Sequence, residues 1–217
     1  MALQLFAHPF SSYCQKVLVA FYQNEVSFEY RSLEDPAAMA ELKERWPFAR
    51  FPLLVDEGHT VVESTIIIEH LMLKHGGRTR WLPEDPLEAL EVRFLDRFFD
   101  NDVMTAMQKP VFAAIKQDAA RRDEAMVEAA RALDLAYGWL EQRLAGRTRA
   151  AGPNLSLADC AAAPSLFYAD WVHPIAARFP TLRAYRSRLL AWPAFARAVD
   201  EARPYRHYFP LGAPDRD

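Results

Sequence analysis

Ser11-Ser12-Tyr13-Cys14-Gln15-Lys16-Val17 follows a short apolar run, Leu5-Phe6-Ala7, and a His8-Pro9 break. From there, apolar residues at Tyr13, Val17, Ala20 and Phe21 fall at helical spacing. The pattern places Ser11 where a strand turns into a helix, beside unpaired backbone N–H groups and the positive end of the helix dipole. The stretch has the layout of a Cys-x-x-Cys redox motif with serine in place of the first cysteine. A thiolate is stabilised at such a helix start, and the chain has no thiol of its own at that first position. The sulfur would have to be brought in, which points to a thiol cofactor or co-substrate.

Outward from this stretch, the first third of the chain alternates strands and helices. Gln4–Ala7 reads as a strand, Ser12–Asn24 as a helix and Phe28–Leu33 as a second strand. Asp35-Pro36 opens a helix through about Arg45. Leu53–Asp56 and Thr60–Glu63 form hairpin arms around Glu57-Gly58-His59. Ser64 is the expected N-cap of a helix over Thr65–His75, which Gly76 ends. The order β-α-β-α-β-β-α favours a small mixed sheet with helices against it, as in a thioredoxin-like domain.

Gly76-Gly77 and the Pro83-Glu84-Asp85-Pro86 stretch then punctuate the chain, and strand signals stop. The expected division is an α/β domain over 1–77, a linker over 78–86 and an all-α domain over 87–217. Leu87–Asp118 predicts a long amphipathic helix kinked or interrupted at Pro110. Further helices are expected over Asp123–Leu144, Leu157–Trp171, Thr181–Leu190 and Pro193–Ala202. Ser156-Leu157-Ala158-Asp159 has the form of a capping box, with Leu155 and Cys160 as its hydrophobic staple.

At 217 residues with 51% apolar content, the chain can bury a substantial core. A formal charge of −3 and the lack of a basic run with interleaved aromatics argue against a nucleic-acid partner. The two cysteines, Cys14 and Cys160, offer neither a disulfide framework nor zinc spacing, which fits a reducing compartment. No apolar run nears the ~18 residues that span a bilayer, so a cytoplasmic protein without a membrane partner is expected.

Three separated segments resemble the cytosolic glutathione S-transferase family, with the serine-type active site of bacterial members. They are the Ser11–Val17 turn with Lys16-Val17 at its end, Arg50-Phe51-Pro52-Leu53-Leu54, and Glu63-Ser64. Phe51 stands where valine or isoleucine is usual in that family, and Trp46-Pro47-Phe48-Ala49 replaces the common Asn-Pro-x-Gly. The resemblance implies glutathione as co-substrate, a small apolar electrophile as its partner, and a homodimer.

It also implies roles for residues whose ordinary readings stay open. Ser11 would donate its hydroxyl proton to the sulfur, or it merely caps the helix. Ser12 is the alternative if the register slips, and Ser11 is preferred for its five-residue distance to Lys16. Cys14 packs in the first helical turn or exchanges thiols. Phe51-Pro52, with a cis bond, would pair its main chain with the peptide, or the proline simply opens a strand. Glu63 and Ser64 would take the γ-glutamyl end, or serve as a solvated charge and a cap. Arg50, then Lys43, would take the glycyl carboxylate. His8 is given a structural role. Met104, Met107, Phe112, Tyr205, Tyr208 and Phe209 are candidates for the second-substrate pocket, or are core. A peroxidase or thiol-reductase activity and a non-catalytic binding protein are the competing functions.

Overall fold

The computed structural model describes residues 3–217. Four strands form one sheet: β1 (Gln4–Ala7), β2 (Glu29–Ser32), β3 (Leu53–Asp56) and β4 (His59–Val62). Their spatial order is β2-β1-β3-β4, with β1 and β2 parallel and the other pairs antiparallel. The expected β-α-β-α-β-β-α order holds, with α1 (Ser12–Gln23), α2 (Pro36–Arg45) and α3 (Ser64–Lys74) as its helices. Period-2 alternation divides the side chains. Leu5 and Leu54 face the main core with α1 and α3, whereas Phe6, Leu53 and Val55 join Leu42 and Ala38 beneath α2.

Two details of the hairpin and of α3 differ from the sequence reading. His59 pairs with Asp56, so the turn has only two residues, Glu57 and Gly58, at φ 50° and 85°. Positive φ at both positions is the turn whose twist matches that of the strands. Ser64 is the first residue of α3 and not its cap; Glu63 occupies the cap position at φ 71°, ψ 121° and makes no side-chain capping bond. That backbone conformation is rare for a residue with a Cβ and costs of order 1–3 kcal/mol.

The helical part comprises α4 (Pro86–Phe98), α5 (Thr105–Ile115), α6 (Ala119–Arg143), α7 (Leu157–Val172), α8 (Pro180–Leu190) and α9 (Pro193–Ala202). A 3-10 segment over Arg203–Tyr208 follows. Every residue of α7 is buried; α4, α5, α6 and α8 pack against it, and α9 packs chiefly on α1. Its start carries the expected capping box: Ser156 N–H and Oγ both donate to Asp159 Oδ2, at 3.0 and 3.1 Å. Tyr185 OH and Ala150 N–H donate to the other oxygen.

The interruption expected at Pro110 lies elsewhere. Pro110 sits inside α5, and the break is a π-helical turn over Phe99–Met104. The Thr105 N–H bonds to the carbonyl of Asp100 five residues back, and the Thr105 hydroxyl donates to the same oxygen. The π turn places one more residue in the turn than an α-helix would. Asp100, on this turn, reaches the α/β domain.

There the two parts are joined by a buried charge. Lys16 on α1 is 1% exposed, and its Nζ lies 2.6 Å from Asp96 Oδ1 and 2.8 Å from Asp100 Oδ2. Thr65 Oγ1 at the start of α3 accepts from Lys16 at 3.0 Å and donates to Asp96 Oδ2 at 2.8 Å. Half-exposed Arg97 closes the cluster on Asp96, Asp100 and Thr65. Removing one partner of such a cluster leaves a charge buried and unpaired, which costs roughly 3–5 kcal/mol. Urea unfolding of Lys16→Met is therefore expected to show a loss in that range, toward its lower end because Arg97 stays in reach. Neutralising Asp96 and Asp100 to asparagine in the same variant should recover part of it. An unchanged midpoint would remove the cluster from the account of how the two parts are held.

Candidate active site

The loop before α1 is tied at every residue. Ser11 N–H bonds to His8 O at 3.0 Å, and Phe10 N–H to His8 Nδ1 at 3.2 Å. Buried Gln15 donates from Nε2 to Pro9 O at 3.0 Å and to Tyr168 OH at 3.1 Å. Tyr168, on α7, donates in turn to Phe10 O at 2.9 Å. Ser11 is thereby fixed as the N-cap of α1, its Oγ accepting from Cys14 N–H at 3.4 Å. A capping hydroxyl uses a lone pair, so its proton remains available to a second partner. Capping and donation to a sulfur are compatible in one side chain.

Ser11 opens onto a cleft of about 860 Å³ between the sheet domain and the helices. Ser12, Arg50, Phe51, Pro52, Glu63 and Ser64 line the same cleft. The first intrahelical bond of α3 runs from Ile67 N–H to Glu63 O at 2.9 Å, so the N–H groups of Ser64, Thr65 and Ile66 precede the ladder. The Phe51–Pro52 bond is cis, and Phe51 has no main-chain partner among the described residues. Glu63 has no ion-pair partner among the described residues, and Arg50 meets only the Phe48 ring, 5.8 Å from its centroid. An acceptor, a cation, an unpaired peptide unit and a helix start thus face one space. Those features fit the ammonium, carboxylate and peptide groups of an extended γ-glutamyl tripeptide.

The far side of the cleft is apolar: Met107, Val111, Phe112 and Ile115 from α5 face Tyr208 and Phe209 from the chain's end. Met104 does not belong there. It is 1% exposed and packs in the main core, because the π turn rotates it inward. Lys43 lies exposed on α2 outside the lining, and Tyr205 packs against His8 with ring centroids 4.9 Å apart.

Polar residues that sequence reasoning missed also line the cleft, among them Arg97, Asp100, Asn101 and Gln108. One signal for Asp100 existed. Lys16 is the only charge in Ser12–Asn24, and a lone charge in a buried helix needs partners.

The thiols of the chain itself are unsuited to chemistry. Cys14 is fully buried, and burial pushes its pKa up to about 12. Cys160 is buried and raised for the same reason. Tyr13, in the cleft wall, is also raised to about 12 by burial and by nearby Asp100, and stays neutral. Burial pushes Asp100 above the usual carboxylate range, against the pull of Lys16.

The chain belongs to the glutathione S-transferase family. Residues 5–79 match the model of the glutathione S-transferase N-terminal domain and residues 102–193 that of its C-terminal domain. A probable maleylacetoacetate isomerase of Vibrio cholerae is 27% identical over 94% of this chain and 98% of its own. A glutathione S-transferase of Methylobacterium radiotolerans, solved with glutathione sulfonate, is 26% identical over 92% of this chain and 95% of its own, with a TM-score of 0.77. A delta-class glutathione transferase of Nilaparvata lugens shares the fold at a TM-score of 0.83 and 21% identity, over 96% and 99% of the two chains.

His8 makes the loop sensitive to pH. Burial lowers its pKa from the ordinary 6.5, and its Nδ1 must be unprotonated to accept from Phe10. The unfolded chain then binds a proton more readily than the folded one. Stability contributed by neutral His8 is present above pH 6.5 and is lost as pH falls through the lowered folded value. His8→Asn is expected to flatten the melting temperature against pH below about 7. Equal slopes for wild type and variant would exclude His8 as the titrating group.

Proposed function

We propose that this protein is a glutathione transferase that joins the glutathione sulfur to a small apolar electrophile. The observation that carries the reading is the Ser11 hydroxyl, held as the cap of a helix start and lining the cleft. Glutathione supplies the nucleophilic sulfur. Lowering a thiol pKa by ~2 units requires ~2.7 kcal/mol. A hydrogen bond to a charged group contributes about 1.5–3 kcal/mol, and the helix start adds roughly 0.3–1 kcal/mol. Ser11 need not ionise to meet this requirement. Ser12 also lines the cleft, but it is the first residue within α1 and is buried.

The other residues orient. Glu63 would accept from the ammonium and Ser64 with the start of α3 would hold the γ-glutamyl carboxylate. Arg50 would pair with the glycyl carboxylate and Phe51 with the peptide. Met107, Phe112, Tyr208 and Phe209 exclude water from the electrophile's side, so the enzyme contributes a poised nucleophile and proximity.

Ser11→Ala is expected to raise the pKa of the bound thiol by about 1–2 units. The conjugation rate should fall about 10- to 100-fold, from a loss of 1.5–3 kcal/mol, while glutathione affinity changes little. Full activity with an unchanged thiol pKa would refute the role.

A second reading has support from the Vibrio cholerae relative, named a probable maleylacetoacetate isomerase across nearly its whole length. The same activated sulfur would add reversibly to an unsaturated acid, with Arg97 beside the acid group. Isomerisation returns glutathione unchanged and conjugation consumes it, so a thiol count over the reaction separates the two.

We also infer a homodimer. Ile66 and Leu73 on α3 and Leu87, Leu90 and Phe94 on α4 expose apolar surface around the Glu69–Arg93 ion pair. Light scattering is expected to give twice the chain mass of 24.8 kDa. Leu90→Asp with Phe94→Asp should halve it, and a monomeric wild type would contradict the inference.

A further inference from the structure

The end of β3 and the last turns of α3 bring together three side chains that the cleft does not use. Asp56, the last residue of β3, is 2% exposed. His70 lies in α3 and His75 is the residue that closes it. Their Nε2 atoms lie 2.7 and 2.9 Å from the same oxygen, Asp56 Oδ2. The three donor atoms all lie within 4.8 Å of one another. Lys74 Nζ also reaches that oxygen, at 3.0 Å, and is shared with Glu57 at 2.8 Å.

We propose that Asp56, His70 and His75 form a binding site for a divalent cation of the zinc class. Two imidazoles and a carboxylate are a borderline donor set, suited to Zn2+ rather than to Mg2+ or Ca2+. Zinc–ligand bonds of about 2.0–2.2 Å place tetrahedral donors about 3.3–3.5 Å apart. The two present contacts to Asp56 must therefore widen by about half an ångström, and the imidazoles must close on each other. Both histidines are about a quarter exposed, which leaves their rings room to turn against the fixed carboxylate. Each imidazole would then carry its proton on Nδ1 and offer the Nε2 lone pair to the ion. Lys74 would retain Glu57 as its partner, and the fourth position is open to water.

The ion's role is structural. It would tie the end of β3 to the end of α3, while Glu63 and Ser64 lie at the other end of that helix. Along α3, His70 lies about 9 Å and His75 about 16 Å beyond Ser64, and none of the three donors lines the cleft.

The test uses the untagged full chain, stripped with a chelator and titrated with Zn2+ against a chromophoric competitor. One ion per chain is expected, bound at least tenfold more weakly by His70→Gln and by His75→Gln. His173→Gln, on the helical part, should bind as wild type does. Co2+ in place of Zn2+ should give the intense visible absorption of a four-coordinate site. Melting curves taken without metal establish that the variants are folded. Lys74→Gln keeps all three donors and removes the competing cation, so it should bind more tightly. Zn2+ should raise the melting temperature of the wild type and leave its glutathione-dependent rate unchanged. No stoichiometric binding, binding that survives both histidine substitutions, or weaker binding by Lys74→Gln would each overturn the site.

Discussion

Lys16 carries its charge into the seam between the sheet domain and the helices, where Asp96 and Asp100 hold it. Burying such a group against two carboxylates adds little net stability over a well-packed apolar contact. What it provides is a single allowed alignment, since any slip of α1 against α4 would strand a charge in the interior. That alignment sets the distance between the two walls of the cleft. Asp100 and Arg97 belong both to the cluster and to the cleft lining, so the joint and the site are built from the same residues.

The cleft has two ends made by different means. The end proposed to take the tripeptide consists of two helix starts, an unpaired peptide unit and a pinned loop, with Ser11, Glu63 and Arg50 set on that main-chain frame. The loop over His8–Ser11 is held by Gln15 and Tyr168, which belong to different parts of the fold. The opposite end consists of side chains from α5 and the closing segment, where shape follows residue identity. The two ends can therefore change independently of one another.

Much of the fold was legible because local signals agreed with one another. Strand alternation, Asp35-Pro36 at a helix start and the Ser156–Asp159 box each have a short-range cause, and the element order followed. The residues expected to surround the sulfur and tripeptide fall along one cleft, since they sit at strand ends and helix starts that the topology gathers. Three features resisted reading for physical reasons. Proline at position 110 is the obvious helix breaker, yet the break is the π turn at Phe99–Met104, which carries Asp100 at the seam and has no local sequence mark. Met104 has the character of a pocket residue, but its direction is set by that same turn. Asp100 is placed by tertiary pairing with Lys16, 84 positions away, and Arg97 by its contacts with Asp96 and Asp100; the lone lysine of α1 announces that a partner exists but not which residue it is.

The π turn also acts as a phase setter. It fixes the angle at which α5 leaves the seam, and hence which stripe of that helix looks into the cleft. A residue gained or lost there would swing Gln108, Val111 and Phe112 around the axis together and present a new stripe. The opposite wall, which carries Ser11, Glu63 and Ser64, would be untouched. A one-residue insertion or deletion just beyond Asp100 would thus recut one wall of the cleft and leave the other as it is.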